Sequence, residues 1–179
     1  ELGSVDAQKD LGDWYGWLDG VEAIKWYKMA AEGGSTKAMM NIAALYSMGN
    51  DVPENLVEAN KWHLMAAEAG DAGGMYNVGS FFEDEENFAE AKRWFFKAAM
   101  LGHSTAASAL GHLAWKASDY AESYVWRSVA VANVRAEGDD FWEKNYKHLR
   151  MKASEELTRE ELAQAQQRAS DIHKQIIGK

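Results

Sequence analysis

The stretch Ala38-Met-Met-Asn-Ile-Ala-Ala-Leu-Tyr-Ser-Met-Gly49 is followed by Asn50-Asp-Val-Pro-Glu-Asn55 and then by Leu56-Val-Glu-Ala-Asn-Lys-Trp-His-Leu-Met-Ala-Ala-Glu-Ala-Gly70. In both long runs apolar residues return every three to four positions, the period of a helix with one buried face. The segment between them holds the only proline of the chain among turn-forming residues, so the reading is helix, turn, helix.

Working outward, the same unit recurs. Leu11-Gly12, Ile42-Ala43, Val78-Gly79 and Leu110-Gly111 each pair a large anchor with a small residue, and Ala7, Ala38, Gly74 and Ala106 precede the anchors by one helical turn. Small, large and small side chains on one face let a neighbouring helix approach closely. The partner helices carry Trp26, Trp62, Trp94 and Trp126, each with Ala or Ser three residues before and Ala four residues after. The four Trp are therefore expected in the core, where large rings dominate the packing energy. Each Trp is followed by the next anchor 16 residues later (Trp26 to Ile42, Trp62 to Val78, Trp94 to Leu110), whereas anchor and Trp within one unit are 15, 20, 16 and 16 apart. A fixed junction between units with a variable loop inside them is the arrangement of stacked helical hairpins.

Gly34, Gly70 and Gly102 lie eight residues beyond their Trp and are expected to stop the second helices in a left-handed conformation, with Ser35, Asp71 and Ser104 as the following N-caps. The fourth unit has Val134 in the Gly slot, so its second helix is expected to run on to Gly138. Beyond it, Phe141, Trp142, Tyr146 and Leu149 form one stripe, and Thr158-Arg-Glu-Glu161 reads as a capping box opening a last helix with Leu162, Ala165, Ala169, Ile172 and Ile176. These two helices are expected to cap the array, covering the apolar face that a terminal repeat exposes. The expected plan is four hairpins over 1–138 (about 5–34, 35–70, 71–102 and 103–138) and a cap over 139–179, in one continuous domain.

The chain of 179 residues has 47 % hydrophobic content, enough to bury a sizeable core, no cysteine, and a formal net charge of −9 with no basic cluster. That balance argues against a nucleic-acid partner. No run of 18 apolar residues is present, so no membrane insertion is expected. The chain begins at Glu1 rather than Met, leaving open a removed signal peptide or another lost N-terminal segment.

Chemistry-bearing patterns are sparse. His63, His103, His112, His148 and His173 show no paired metal-ligand spacing, and Glu83-Asp84-Glu85-Glu86 lacks the alternation and turn glycine of a calcium loop. No Ser-x-x-Lys or Gly-x-Ser-x-Gly occurs, and Gly70 to Gly74 does not have dinucleotide-loop spacing. Neither a catalytic centre, a metal nor a cofactor is expected.

Taken together, Ala-x-x-x-Leu-Gly-x-x-Tyr, a loop with Val52-Pro53, and Ala-x-x-Trp-x-x-x-Ala-Ala-x-x-Gly resemble the Sel1-like repeat (SLR) family, a relative of tetratricopeptide repeats, over roughly Val5 to Val134. Repeat one departs by a short loop from Gly16 to Gly20, repeat three by its acidic loop, and repeat four by losing the aromatic and the closing Gly. The Leu157-Thr-Arg-Glu-Glu segment resembles the tail of bacterial members. The resemblance implies an all-α fold, an α-solenoid forming a right-handed superhelix of hairpins, and a non-enzymatic adaptor in the bacterial periplasm or outside the cell.

First helices are expected to line the concave face, where Lys9, Asp13, Met40, Asn41, Tyr76, Asn77, Ser80, His112 and Trp115 would bind a protein or peptide partner, with Gly16, Ala44, Trp17 and Met48 beside them. Asn41 and Asn77 resemble groove asparagines that hold a peptide backbone, since a carboxamide both donates and accepts. A monomer is expected. Two alternatives remain: a hydrolase of cell-wall or lactam substrates built on a repeat scaffold, and a structural spacer in a bacterial envelope complex.

Overall fold

The structure, a computed structural model, describes residues 3–49 and 51–178. Among them run ten helices and no strand: α1 (Val5–Tyr15), α2 (Gly20–Glu32), α3 (Thr36–Met48), α4 (Leu56–Glu68), α5 (Ala72–Asp84), α6 (Phe88–Ala99), α7 (Ser104–Lys116), α8 (Tyr120–Glu137), α9 (Asp140–Glu155) and α10 (Arg159–Ile177). The chain is thus an all-α repeat fold. It divides into two compact units, one up to Phe81 and one from Phe82 onward.

In the first unit α1 packs on α2, α2 on α3 and α3 on α4. Its core gathers Ala23, Ile24, Tyr27, Ala30, Ala38, Met39, Ile42 and Ala66, with the loop residue Val52 folded back among them. Gly12 and Gly111, the small residues after the first and last anchors, face the residue after the Trp, not the Trp. A Cβ on Gly12 would lie 2.4 Å from the Tyr27 ring, so only glycine lets that ring rest on the α1 backbone.

The second unit repeats the device. A Cβ on Gly111 would lie 2.8 Å from Cγ of Arg127, and Ser123 Oγ donates to the Gly111 carbonyl at 2.8 Å, joining α7 to α8. This register corrects the expectation for the Trp slot. Trp126 is buried at 4 % exposure, but Trp26, Trp62 and Trp94 are only half-buried. Lys97 Nζ sits 3.8 Å above the Trp94 ring. In the first and third repeats the next residue lies deeper, Tyr27 at 5 % and Phe95 at 0 %; one residue further on turns a side chain about 100° round a helix of 3.6 residues per turn.

The helix stops follow the sequence reading. Gly34, Gly70 and Gly102 have φ of 92°, 94° and 90°, and the amides after them bond back five residues: Ser35 to Ala30 at 3.0 Å, Asp71 to Ala66 at 2.9 Å and His103 to Ala98 at 3.1 Å. These are the longer bonds of the Schellman motif. The Ser35 hydroxyl then caps α3, and Asp71 Oδ1 accepts from the Gly74 amide at 2.8 Å. Ser104, expected as a cap, instead opens α7, and His103 caps it through Nδ1, which accepts from the Ala106 amide at 3.2 Å. His103 holds the slot directly after the stop glycine, as Ser35 and Asp71 do, and a neutral imidazole nitrogen accepts as a carboxylate does.

As read from the sequence, α8 runs through to Gly138, which stops it with φ of 77°. Asp139 caps α9, and the Thr158–Glu161 capping box opens α10. Both last helices pack on α8. Tyr124 and Val125 meet Ala153, Ala165 and Ala169 in a shared cluster, bordered by Trp115, Leu157, Leu162 and Ile172. Of the α9 stripe, Tyr146 is buried and Leu149 half-buried, whereas Phe141 is 72 % exposed and Trp142 also faces solvent. Those two rings belong to the first turn of α9, close to the cap at Asp139; they meet edge-on at 5.3 Å, and Trp142 stacks on Tyr146.

Candidate functional site

In the first unit, the spacing of Lys9, Asp13 and Gly16 puts them on one side of α1, and α3 presents Asn41, Ala44 and Met48 at the same period. The Asp13 carboxylate gathers three donors. Lys9 Nζ donates to Oδ2 at 2.6 Å and also meets Asp10 at 2.8 Å; Tyr27 Oη and Asn41 Nδ2 donate to Oδ1 at 2.9 and 3.0 Å. Three helices are thereby tied at one side chain.

The electrostatics follow from these contacts. Burial pushes the Asp13 carboxyl up, but the bonds from Lys9, Tyr27 and Asn41 together with the Lys9 charge outweigh it and hold it below the usual range. Hydrogen bonds to Asp10 and Asp13 keep Lys9 protonated above its ordinary range. Burial first, then the bond to Asp13, pushes the Tyr27 phenol up to about 12. At neutral pH the cluster is a carboxylate, an ammonium and a protonated phenol, all already engaged with one another.

Above this cluster lies an open groove of about 480 Å³ lined by Asp13, Gly16, Trp17, Tyr27, Asn41, Ala44, Leu45 and Met48. On its rim Trp17 is 90 % exposed and Met48 67 %. Exposed apolar side chains thus stand over a charged floor. Among the described residues no group of three or more His, Asp or Glu is placed to hold a metal ion.

The structure brings together Lys9, Asp13 and Asn41 of the residues singled out in the sequence. Met40 is half-buried on the same helix, its Cε 3.6 Å from where a Cβ on Gly73 would lie. Tyr76, Asn77 and Ser80 are half-buried on α5. Asn77 Nδ2 lies 3.4 Å from His63 Nδ1, and burial lowers the His63 pKa, opposed by the charge of Asp71. His112 and Trp115 lie on α7, His112 exposed and Trp115 against the cluster of the last helices, with Arg127 5.1 Å above its ring and Tyr120 edge-on at 5.0 Å. Tyr27 and Leu45 also line the groove and were not expected there. The sequence signal for Tyr27 was Gly12, whose missing side chain leaves room for the ring.

The family model of the Sel1 repeat matches three times, at residues 5–35, 36–71 and 72–103. The chain belongs to the Sel1 repeat family. Proteins built of Sel1 repeats are generally non-enzymatic protein–protein interaction scaffolds. The α7–α8 hairpin lies beyond the matched residues, and its sequence lacks the closing Gly of the Sel1 pattern.

Among solved structures, the Sel1 repeat protein from Oxalobacter formigenes is 23 % identical, with a TM-score of 0.64 over 84 % of this chain and 74 % of that one, a likeness of fold. The protective antigen c5321 of uropathogenic Escherichia coli, described as displaying an SLR fold, is 22 % identical with a TM-score of 0.47, and the match takes in 99 % of this chain but 46 % of that protein. The immunity protein Pa5087 from Pseudomonas aeruginosa is 16 % identical, with a TM-score of 0.40 over 83 % of this chain and 81 % of that one. No curated protein matches the chain.

Proposed function

We propose that this Sel1 repeat chain is a non-enzymatic adaptor that holds a segment of a partner protein on the exposed sides of its first helices, with the groove over Asp13 as the principal contact. The observation that carries the reading is the pairing of a fully engaged polar floor with exposed Trp17 and Met48 on the rim. A catalytic group must be free to take up or release a proton or attack a substrate. Asp13, Lys9 and Tyr27 are instead bonded to one another and act as a rigid base. Asn41 uses one amide N–H on Asp13, which fixes the side chain, and its carbonyl oxygen would accept an N–H from a partner backbone. Trp17 and Met48 would supply the apolar anchor; aromatic residues dominate interface energies, and a flexible thioether adapts to varied shapes.

The test places a photo-crosslinking amino acid at Trp17 or Met48 and, in separate proteins, at Lys61 or Lys92 on second helices, then identifies the captured partner and titrates it. The expected result is capture from the groove positions and at least tenfold weaker binding by Trp17→Ala, equivalent to ~1.4 kcal/mol, with an unchanged melt. Unchanged affinity in Trp17→Ala and Asn41→Ala, with loss in Lys61→Ala or Lys92→Ala, would place recognition on the second helices and overturn the proposal.

A further inference from the structure

A second cavity, of about 230 Å³, lies in the unit from Phe82 onward, where α8, α9 and α10 meet. Its lining is unlike that of the groove over Asp13. Arg150 enters from α9, Ser128 and Tyr124 from α8, and Gln166, Ser170 and His173 from α10, and no carboxylate lines it. The Arg150 guanidinium lies 6.0 Å from the Tyr124 ring, and among the described residues no acid pairs with it. His173 Nδ1 is buried and has no hydrogen-bond partner among the described residues. The imidazole nitrogen has given up water without a replacement, which is unfavourable, and the half-buried guanidinium on the same cavity has no acid among the described residues to neutralise it. Two other arginines between these helices show the contrast: Arg168 of α10 is bonded twice to Glu122, and Arg135 of α8 twice to Glu143.

From this we infer that the cavity between α8, α9 and α10 is a binding site for a phosphate group. A guanidinium fork satisfies two oxygens of an oxyanion. A planar carboxylate would be exhausted by that fork alone. Here further polar residues line the cavity from α10, namely Gln166, Ser170 and His173, and Ser128 lines it from α8, which suits a tetrahedral anion with a third and fourth oxygen. The Ser128 hydroxyl donates to the Tyr124 carbonyl at 2.8 Å, so its oxygen is left to accept from a protonated phosphate oxygen. Tyr124 and the alanines of the lining leave room for a small organic group on the anion. This site does not depend on the groove over Asp13.

The experiment titrates the intact chain at fixed pH and constant ionic strength with inorganic phosphate, O-phosphoserine and acetate, following the side-chain nitrogen signals of Arg150 and His173 by nuclear magnetic resonance and the affinities by calorimetry. The expected result is that both signals move with phosphate and that acetate binds at least tenfold more weakly. Equal affinity for inorganic phosphate and O-phosphoserine assigns free phosphate as the ligand; tighter O-phosphoserine assigns a phosphorylated side chain. Arg150→Gln and His173→Phe should each weaken phosphate binding tenfold or more with unchanged helicity. If either variant fails to fold, the wild-type signals decide. Still signals at saturating phosphate, or acetate binding as tightly as phosphate, would overturn the assignment.

Discussion

At the scale of single residues, the clearest chemical consequence belongs to His63. Burial lowers its pKa, with Asp71 opposing, and its Nδ1 faces the Asn77 amide nitrogen. A neutral ring accepts from that amide, whereas a protonated ring presents N–H against N–H. The unfolded chain binds a proton near the ordinary value of about 6.5, and the folded chain only at lower pH. Stability is therefore complete above that range and falls as pH drops through it toward the folded value. Thermal melts between pH 7.5 and 5 should show a steeper loss for wild type than for His63→Gln, whose amide keeps an acceptor for Asn77; parallel slopes would remove this role. The same scale shows why part of the groove escaped the sequence. Asp13, Gly16, Trp17, Asn41, Ala44 and Met48 share one spacing relative to their anchors, and helical period alone places them together. Tyr27 sits beside Trp26, the residue that repeats in every unit, and the repeating residue drew the reading. That Asn41 donates to Asp13 across 28 positions is a contact between helices, which no spacing within one helix encodes.

At the scale of the element, helix ends were legible and helix faces less so. Gly34, Gly70, Gly102 and Gly138 stop their helices at the positions the spacing marked, because a left-handed backbone is a local demand that glycine meets by itself. Which large side chain enters the core depends on what stands opposite. In the α1–α2 pair that is decided by Gly12. Gly12→Ala would bring a Cβ to 2.4 Å from the Tyr27 ring. Overpacking of this kind typically costs ~1–3 kcal/mol, against a helix-propensity gain of at most ~1 kcal/mol. A urea melt should therefore show a net loss of stability, and the bond from Tyr27 to Asp13 should lengthen, carrying the disturbance to the floor of the groove. A variant as stable as wild type would mean that the ring has room to move aside.

At the scale of the whole molecule, the second unit closes differently from the repeats before it. Its α7–α8 pair has lost the Gly stop that follows the earlier Trp residues, and the long α8 that results offers surface to both α9 and α10. Arg127 is where this shows most plainly. It holds the position occupied by Tyr27 and Phe95 in other pairs, is buried, has its pKa lowered by burial, and donates through Nη1 to the Leu149 carbonyl at 2.7 Å. Leu149 lies within α9, so its carbonyl keeps a helical partner whether or not Arg127 is present. The consequence is one of timing. A chain made from its N-terminus completes α7 and α8 while Leu149 is still unmade, and during that interval the guanidinium stays wet. Docking of α9 must then strip water from a cation, a penalty of several kcal/mol that attraction inside the protein only partly returns. Arg127→Met keeps the stem that lies on Gly111 and orphans no acceptor. Stopped-flow refolding should show α9 closing faster in that variant, with stability equal or higher; a slower closure would mean that the cation guides the helix home instead of delaying it.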